Sequence, residues 1–152
     1  MNDSRGADMA PARRRIRLRL PPPRSIALVA VGGALGAVAR VAVGVVVPVA
    51  DNGWPWATMA VNLSGALVLG GLLRVISESL IGGAWARPLI GTGIVGAFTT
   101  FSTLSVEIER LAATGRGVVA AGYAGVTLVG GLLAVWIGSA AGVAMLRRGS
   151  DR

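Results

Sequence analysis

Five residues in succession, Thr99-Thr100-Phe101-Ser102-Thr103, bring four hydroxyl groups into an otherwise apolar stretch. Asn62 stands alone in a second apolar stretch, Tyr123 and Thr127 stand four apart in a third, and Arg40 interrupts a fourth. Polar groups in such surroundings cost free energy unless they are paired or hydrated, so function is sought there first. A row of hydroxyl and amide donors can line a path for an anion, and one arginine near its mouth would raise the local positive potential. Bond-making chemistry has less to work with. The chain contains no histidine and no cysteine, which removes imidazole bases, thiolate nucleophiles, disulfides and the usual zinc ligand sets. The chain therefore does not read as an enzyme.

Each polar residue has a plain reading beside the functional one. Asn62 serves either as glue between helices or as a donor on an anion path, and Arg40 either snorkels to the interface or charges a pore mouth. The hydroxyl string is more specific. Threonine and serine compete for backbone hydrogen bonds, and β-branched side chains crowd the preceding turn. With Gly91, Gly93 and Gly96 just before it, the string predicts a helix break at membrane depth. Carbonyls freed by a break survive in a membrane only when buried in protein, hydrated or bound to a cation. No carboxylate is expected at mid-span, because Glu78, Glu107 and Glu109 fall at or near segment ends; that argues against a proton-coupled exporter.

The elements that must position these groups are long apolar helices. Of 152 residues 53% are hydrophobic and 14% charged, and mean hydropathy is +0.68. A soluble domain carries about a quarter charged residues. A span needs about 20 mostly apolar residues, and four segments qualify. They run from Ser25 to near Val49, from Trp56 to Ile76, from just after Arg87-Pro88 to near Leu111, and from Val118 to Leu146. Trp54 and Trp56 flank the first turn, where amphipathic rings favour the interface. The fold class is all-α, a polytopic membrane protein of four transmembrane helices with a break in the third. One domain, 25–146, lies between a basic, disordered arm at 1–24 and a basic tail at 147–152.

The net charge is +8 and comes from arginine alone. Seven arginines lie in the first 24 residues (Arg5, Arg13, Arg14, Arg15, Arg17, Arg19 and Arg24) and three at the end (Arg147, Arg148 and Arg152). Charge placed on flanks reads as an orientation signal and an anchor to anionic lipid, not as a nucleic-acid surface. The arm is read as retained, since no clear cleavage context follows it, or as an over-extension of the gene start, since Met9 could also initiate. Arg74 and Arg87 join the same side, leaving Arg110 and Arg116 on the other. Twelve against two places both termini in the cytoplasm.

Small residues recur four apart, at Gly32 and Gly36 in the first span and at Gly138 and Gly142 in the fourth. Such spacing lets helix backbones approach closely where lipid offers no hydrophobic drive. Four short spans enclose little polar space in one copy, so a dimer is expected.

These residues resemble the Fluc or CrcB-type fluoride channels over about Ser25 to Leu146. The matching parts are Gly32-Gly33-x-x-Gly36-Ala37-x-x-Arg40, Thr58-x-x-Val61-Asn62-x-x-Gly65, and Gly93-x-x-Gly96-Ala97-Phe98-Thr99-Thr100-Phe101-Ser102-Thr103-Leu104-Ser105-x-Glu107. The resemblance implies an antiparallel dimer with two fluoride pores, in a bacterial cell membrane. It implies a structural sodium ion held by the backbone carbonyls of Gly96 and Thr99. It also implies a pore lined by Asn62, Phe101, Ser102, Thr103, Tyr123 and Thr127, with Arg40 in the vestibule. Phenyl edges and hydroxyl donors suit a small, strongly hydrated anion.

Two positions depart from the family pattern. Leu104 stands where a second pore phenylalanine is expected, and Ala97 replaces a glycine. The arginine bias is also large for a subunit that must insert in both orientations, which leaves homodimer and pairing with a similar, oppositely oriented subunit both open. The function implied is passive fluoride efflux. The alternatives are a non-conducting subunit of a heterodimeric channel and, more distantly, a small-molecule exporter.

Overall fold

The computed structural model describes residues 20–47, 53–78 and 83–150. The arm expected at 1–24 falls mostly outside the described residues, as does the end of the tail expected at 147–152. The elements are α1 (Pro23–Val46), α2 (Trp56–Glu78), a short α3 (Gly83–Ala86), a π-helix π1 (Arg87–Val95), α4 (Gly96–Phe98), α5 (Phe101–Ala113) and α6 (Gly117–Ser150). Four stretches are long and apolar enough to cross a membrane: Pro23–Val46, Trp56–Ser77, Ala84–Ala113 and Gly117–Arg148. Among the described residues there is no strand, and the expected four-span, all-helical class holds.

The ends differ from the hydropathy reading for local reasons. Helix α1 starts inside the proline run, with Pro23 in its first turn, where a missing N–H leaves no hydrogen bond unmade. It ends at Val46, because Val47 is extended (φ −91°, ψ 107°) as a residue preceding proline tends to be. Pro88 lies within the third span, not before it. Helix α6 continues through Arg147 and Arg148 to Ser150. Its 34 residues span about 50 Å at 1.5 Å per residue, so its charged last turns extend beyond roughly 30 Å of hydrocarbon.

Helix α5 closes on a Schellman turn. Gly115 adopts φ 77°, the Arg116 N–H reaches the Leu111 carbonyl at 2.9 Å, and the Gly115 N–H reaches that of Ala112 at 3.1 Å.

Glycines set the packing. Helix α1 lies chiefly on π1, and α2 on α6. A Cβ on Gly32 would collide with the Leu89 carbonyl oxygen, and one on Gly36 with that of Ile94. Across the other interface, Gly138 faces the Leu67 carbonyl while Gly142 faces that of Gly71. Both pairs ascend together, so α2 and α6 run parallel. Gly91 and Gly93 lie in π1; the glycine stretch widens the helix without unwinding it.

Candidate functional site

The break begins three residues after Gly96, the last of these glycines, within the hydroxyl string. Thr99 is extended (φ −73°, ψ 154°) and so is Thr100 (φ −145°, ψ 122°), between α4 and α5. The Thr100 hydroxyl caps α5. It accepts the Thr103 N–H at 3.2 Å, donates to the Thr103 hydroxyl at 3.0 Å, and lies 3.2 Å from Ser102 Oγ. A hydroxyl has one proton, so the Ser102 hydroxyl is the donor in that last contact. Thr99 sends its own hydroxyl back to the Val95 carbonyl at 3.0 Å.

Asn62 braces the break from α2. Its Oδ1 accepts the Thr100 N–H at 2.8 Å, and its Nδ2 donates to the Thr100 carbonyl at 3.0 Å. One amide proton remains. Close approach is made possible by Gly65, where a Cβ would collide with the Thr99 methyl. Asn62, Thr99, Thr100, Phe101 and Leu104 line a cavity of about 280 Å³.

The break also decides which carbonyls lose their helical donors. In an unbroken helix the Thr100 N–H would serve the Gly96 carbonyl and the Thr103 N–H would serve that of Thr99. Both are diverted, one to Asn62 and one to the Thr100 hydroxyl.

Glu107 lies near the end of the third span, as expected, six residues before Ala113, about 9 Å along the helix; its partners were not expected. Thr58 donates to its Oε1 at 2.8 Å and Tyr123 donates to its Oε2 at 2.7 Å. Tyr123 is fully buried. Trp54 meets it edge-on with ring centroids 5.6 Å apart. The carboxylate thus joins α2, α5 and α6, the kind of charge-assisted pairing that makes a partly buried charge tolerable. One clue was available: a phenol in an apolar span needs an acceptor, and Glu107 and Glu109 are the carboxylates closest before it in the sequence. Glu107, Thr58, Thr103 and Trp54 open onto a cavity of about 520 Å³.

The remaining expected residues occupy different settings. Arg40 and Thr103 share a cavity of about 200 Å³ with Thr58 and Thr100. Thr127 is buried on α6, one turn beyond Tyr123, and its hydroxyl finds no protein partner. Phe101 is 81% exposed, and Gly96 and Ser102 are also exposed, so in a single chain these three face outward. Leu104 packs against the Leu111, Ala120 and Tyr123 cluster. Among the described residues no group of three or more acidic side chains is placed to hold a metal.

The sequence model of the family described as CrcB-like protein, Camphor Resistance (CrcB), matches residues 27–139. Among similar proteins, the fluoride-specific ion channel FluC 1 of Streptomyces coelicolor is 40% identical over 128 residues, covering 84% of this chain and 81% of its own. FluC 1 of Mycobacterium bovis is 42% identical, over 74% of this chain and 85% of its own. FluC 2 of Geobacillus kaustophilus is 40% identical, over 74% and 88%.

Proposed function

The chain belongs to the CrcB-like family, and from that premise we propose that it is a fluoride-selective channel. It carries fluoride passively out of the cytoplasm, down the electrochemical gradient, and so protects against fluoride that enters as neutral HF. Relatives named as fluoride-specific channels align with most of the chain. The observation that carries the reading is the braced break at Thr99 and Thr100, which gathers hydroxyl and amide donors at one depth in the membrane.

Fluoride holds its water strongly, so a selective path must replace that shell with several close donors. Counting protons identifies which donors stand ready. Thr58 and Tyr123 are committed to Glu107, Thr100 to Thr103, and Ser102 to Thr100. The Thr103 hydroxyl, the second Asn62 amide proton and the Thr127 hydroxyl are not. Thr103 shares its cavity with Arg40, whose charge draws anions toward it. Phe101, exposed beside Ser102, would offer a ring edge. Leu104 offers no such edge.

A dimer of antiparallel subunits in a bacterial cell membrane would bring the outward-facing Phe101, Ser102 and Gly96 of two chains together. The carbonyls of Gly96 and Thr99 fit a structural sodium ion, since both are hard oxygens deprived of helical donors. When bound, such an ion would supply a fixed positive charge that ties the two breaks together.

The test is fluoride efflux from vesicles holding the purified chain alone, read by a fluoride electrode. Expected is fluoride release far above that of protein-free vesicles, with chloride retained. Vesicles that release fluoride no faster than the lipid control would overturn the reading of this chain as a self-sufficient channel. Release appearing only on adding a similar second subunit would assign it to a paired channel.

A further inference from the structure

The third span is broken around one residue, and a single side chain from another helix engages both main-chain groups of that residue. In an extended residue the N–H and C=O point to the same side, as they do where antiparallel strands pair. Thr100 is extended, and Asn62 occupies that side, accepting the N–H at 2.8 Å and donating to the C=O at 3.0 Å. The carboxamide stands where the peptide of a neighbouring strand would. In an α-helix the two groups point in opposite directions along the axis, and no single side chain can meet both.

We propose that Asn62 is a positioning residue that selects the broken form of the third span. Its pairing with Thr100 is available only to the extended conformation and is lost if the helix closes across the break. The consequence reaches beyond one donor. Holding the Thr100 N–H takes it from the Gly96 carbonyl and leaves the Thr100 hydroxyl free to cap α5 through Thr103. Gly65, on the same face one turn further along α2, admits the contact, because any side chain there would meet Thr99. The effect on transport rests on the channel reading; the effect on the backbone does not.

The experiment is solid-state NMR of the full chain in lipid vesicles, with threonine carrying 13C and 15N. In the native chain the Thr100 Cα and Cβ shifts should fall in the extended range and its amide should exchange slowly. Asn62→Leu removes both hydrogen bonds; the Thr100 amide should then exchange about tenfold faster or more, with its carbon shifts moving toward helical values. Asn62→Asp has the same size and keeps the acceptor while turning an oxygen toward the Thr100 carbonyl. Its Thr100 amide should stay protected and shift downfield as its acceptor gains charge, while fluoride efflux falls. A side chain that merely fills space would not separate Asp from Leu at this amide.

Helical Thr100 shifts in the native chain would overturn the proposal. So would a Thr100 amide unmoved by either substitution; if Asn62→Leu does not fold, the native chain and Asn62→Asp decide it. Efflux from the same native vesicles is scored separately, so failure of the channel reading and failure of the clamp are told apart.

Discussion

The Tyr123 hydroxyl and the Glu107 carboxylate meet at 2.7 Å, joining the fourth span to the third. Thr58 on α2 holds the other carboxylate oxygen at 2.8 Å. Three helices therefore converge on one charge. Hydrogen bonds to a charged group contribute about 1.5–3 kcal/mol each. Tyr123→Phe and Thr58→Val should each lower stability by about that amount, and the double variant should depart from the sum because both act on one carboxylate. Thermal unfolding in detergent measures this, and strict additivity would mean the two hydroxyls do not share Glu107.

Glu107→Gln tests the charge itself. The amide keeps the size but places an NH₂ against either Thr58 or Tyr123, whose own protons must then turn elsewhere. Expected are a loss of about 1–3 kcal/mol in stability and fluoride efflux lowered about tenfold or more. Unchanged efflux would assign Glu107 to structure alone.

Gly65 and Gly33 make a matched pair. A Cβ on Gly65 would collide with Thr99, whereas Gly33 has open space around it. Gly65→Ala should push α2 from the break and destabilise by about 1–3 kcal/mol. It should also reduce flux, because Asn62 rides on the same helix. Gly33→Ala should be neutral or slightly stabilising, as alanine favours helix over glycine. Equal effects of the two substitutions on stability would contradict the observed packing.

Much of this arrangement was legible in the residues. Four apolar stretches gave four spans, and the run Thr99 to Thr103 located the break because hydroxyl and β-branched side chains weaken a helix interior. Glycine spacing identified the packing faces, as Gly32 and Gly138 show. What stayed hidden depended on contacts between helices. Glu107 was legible as a residue near the end of its span, but linear hydropathy cannot show that Thr58 and Tyr123 converge on it from helices 49 and 16 residues away in sequence. Asn62 was read as either glue or pore donor, and pairing with Thr100 required the backbone angles. The π-helix was equally hidden, since Gly91, Gly93 and Gly96 suit an unwound segment as well as a widened one.

Phe101 separates function from folding. It is 81% exposed in the single chain and begins α5, so little of the subunit's own packing depends on it. Phe101→Leu should change subunit stability by no more than about 0.5 kcal/mol, as for surface positions generally. Fluoride efflux should still fall, because the aliphatic side chain lacks the positive ring edge that favours an anion. Efflux equal to the native chain would remove Phe101 from the pathway.

Orientation follows from charge. Twelve arginines on the side of the termini against two opposite predict that the chain inserts with its termini in the cytoplasm. Because the sequence has no cysteine, a single Thr114→Cys or Arg148→Cys reports sidedness to a thiol reagent that cannot cross the membrane. If the arginine bias alone sets orientation, Thr114→Cys labels in intact cells and Arg148→Cys does not. Deleting residues 1–24 and adding arginines to the turns at Asp51 and Thr114 should reverse that pattern. Labelling of both positions in the otherwise native chain would show that it inserts both ways despite the bias, as an antiparallel pair of identical chains requires. A single orientation would instead demand an oppositely inserted, similar partner.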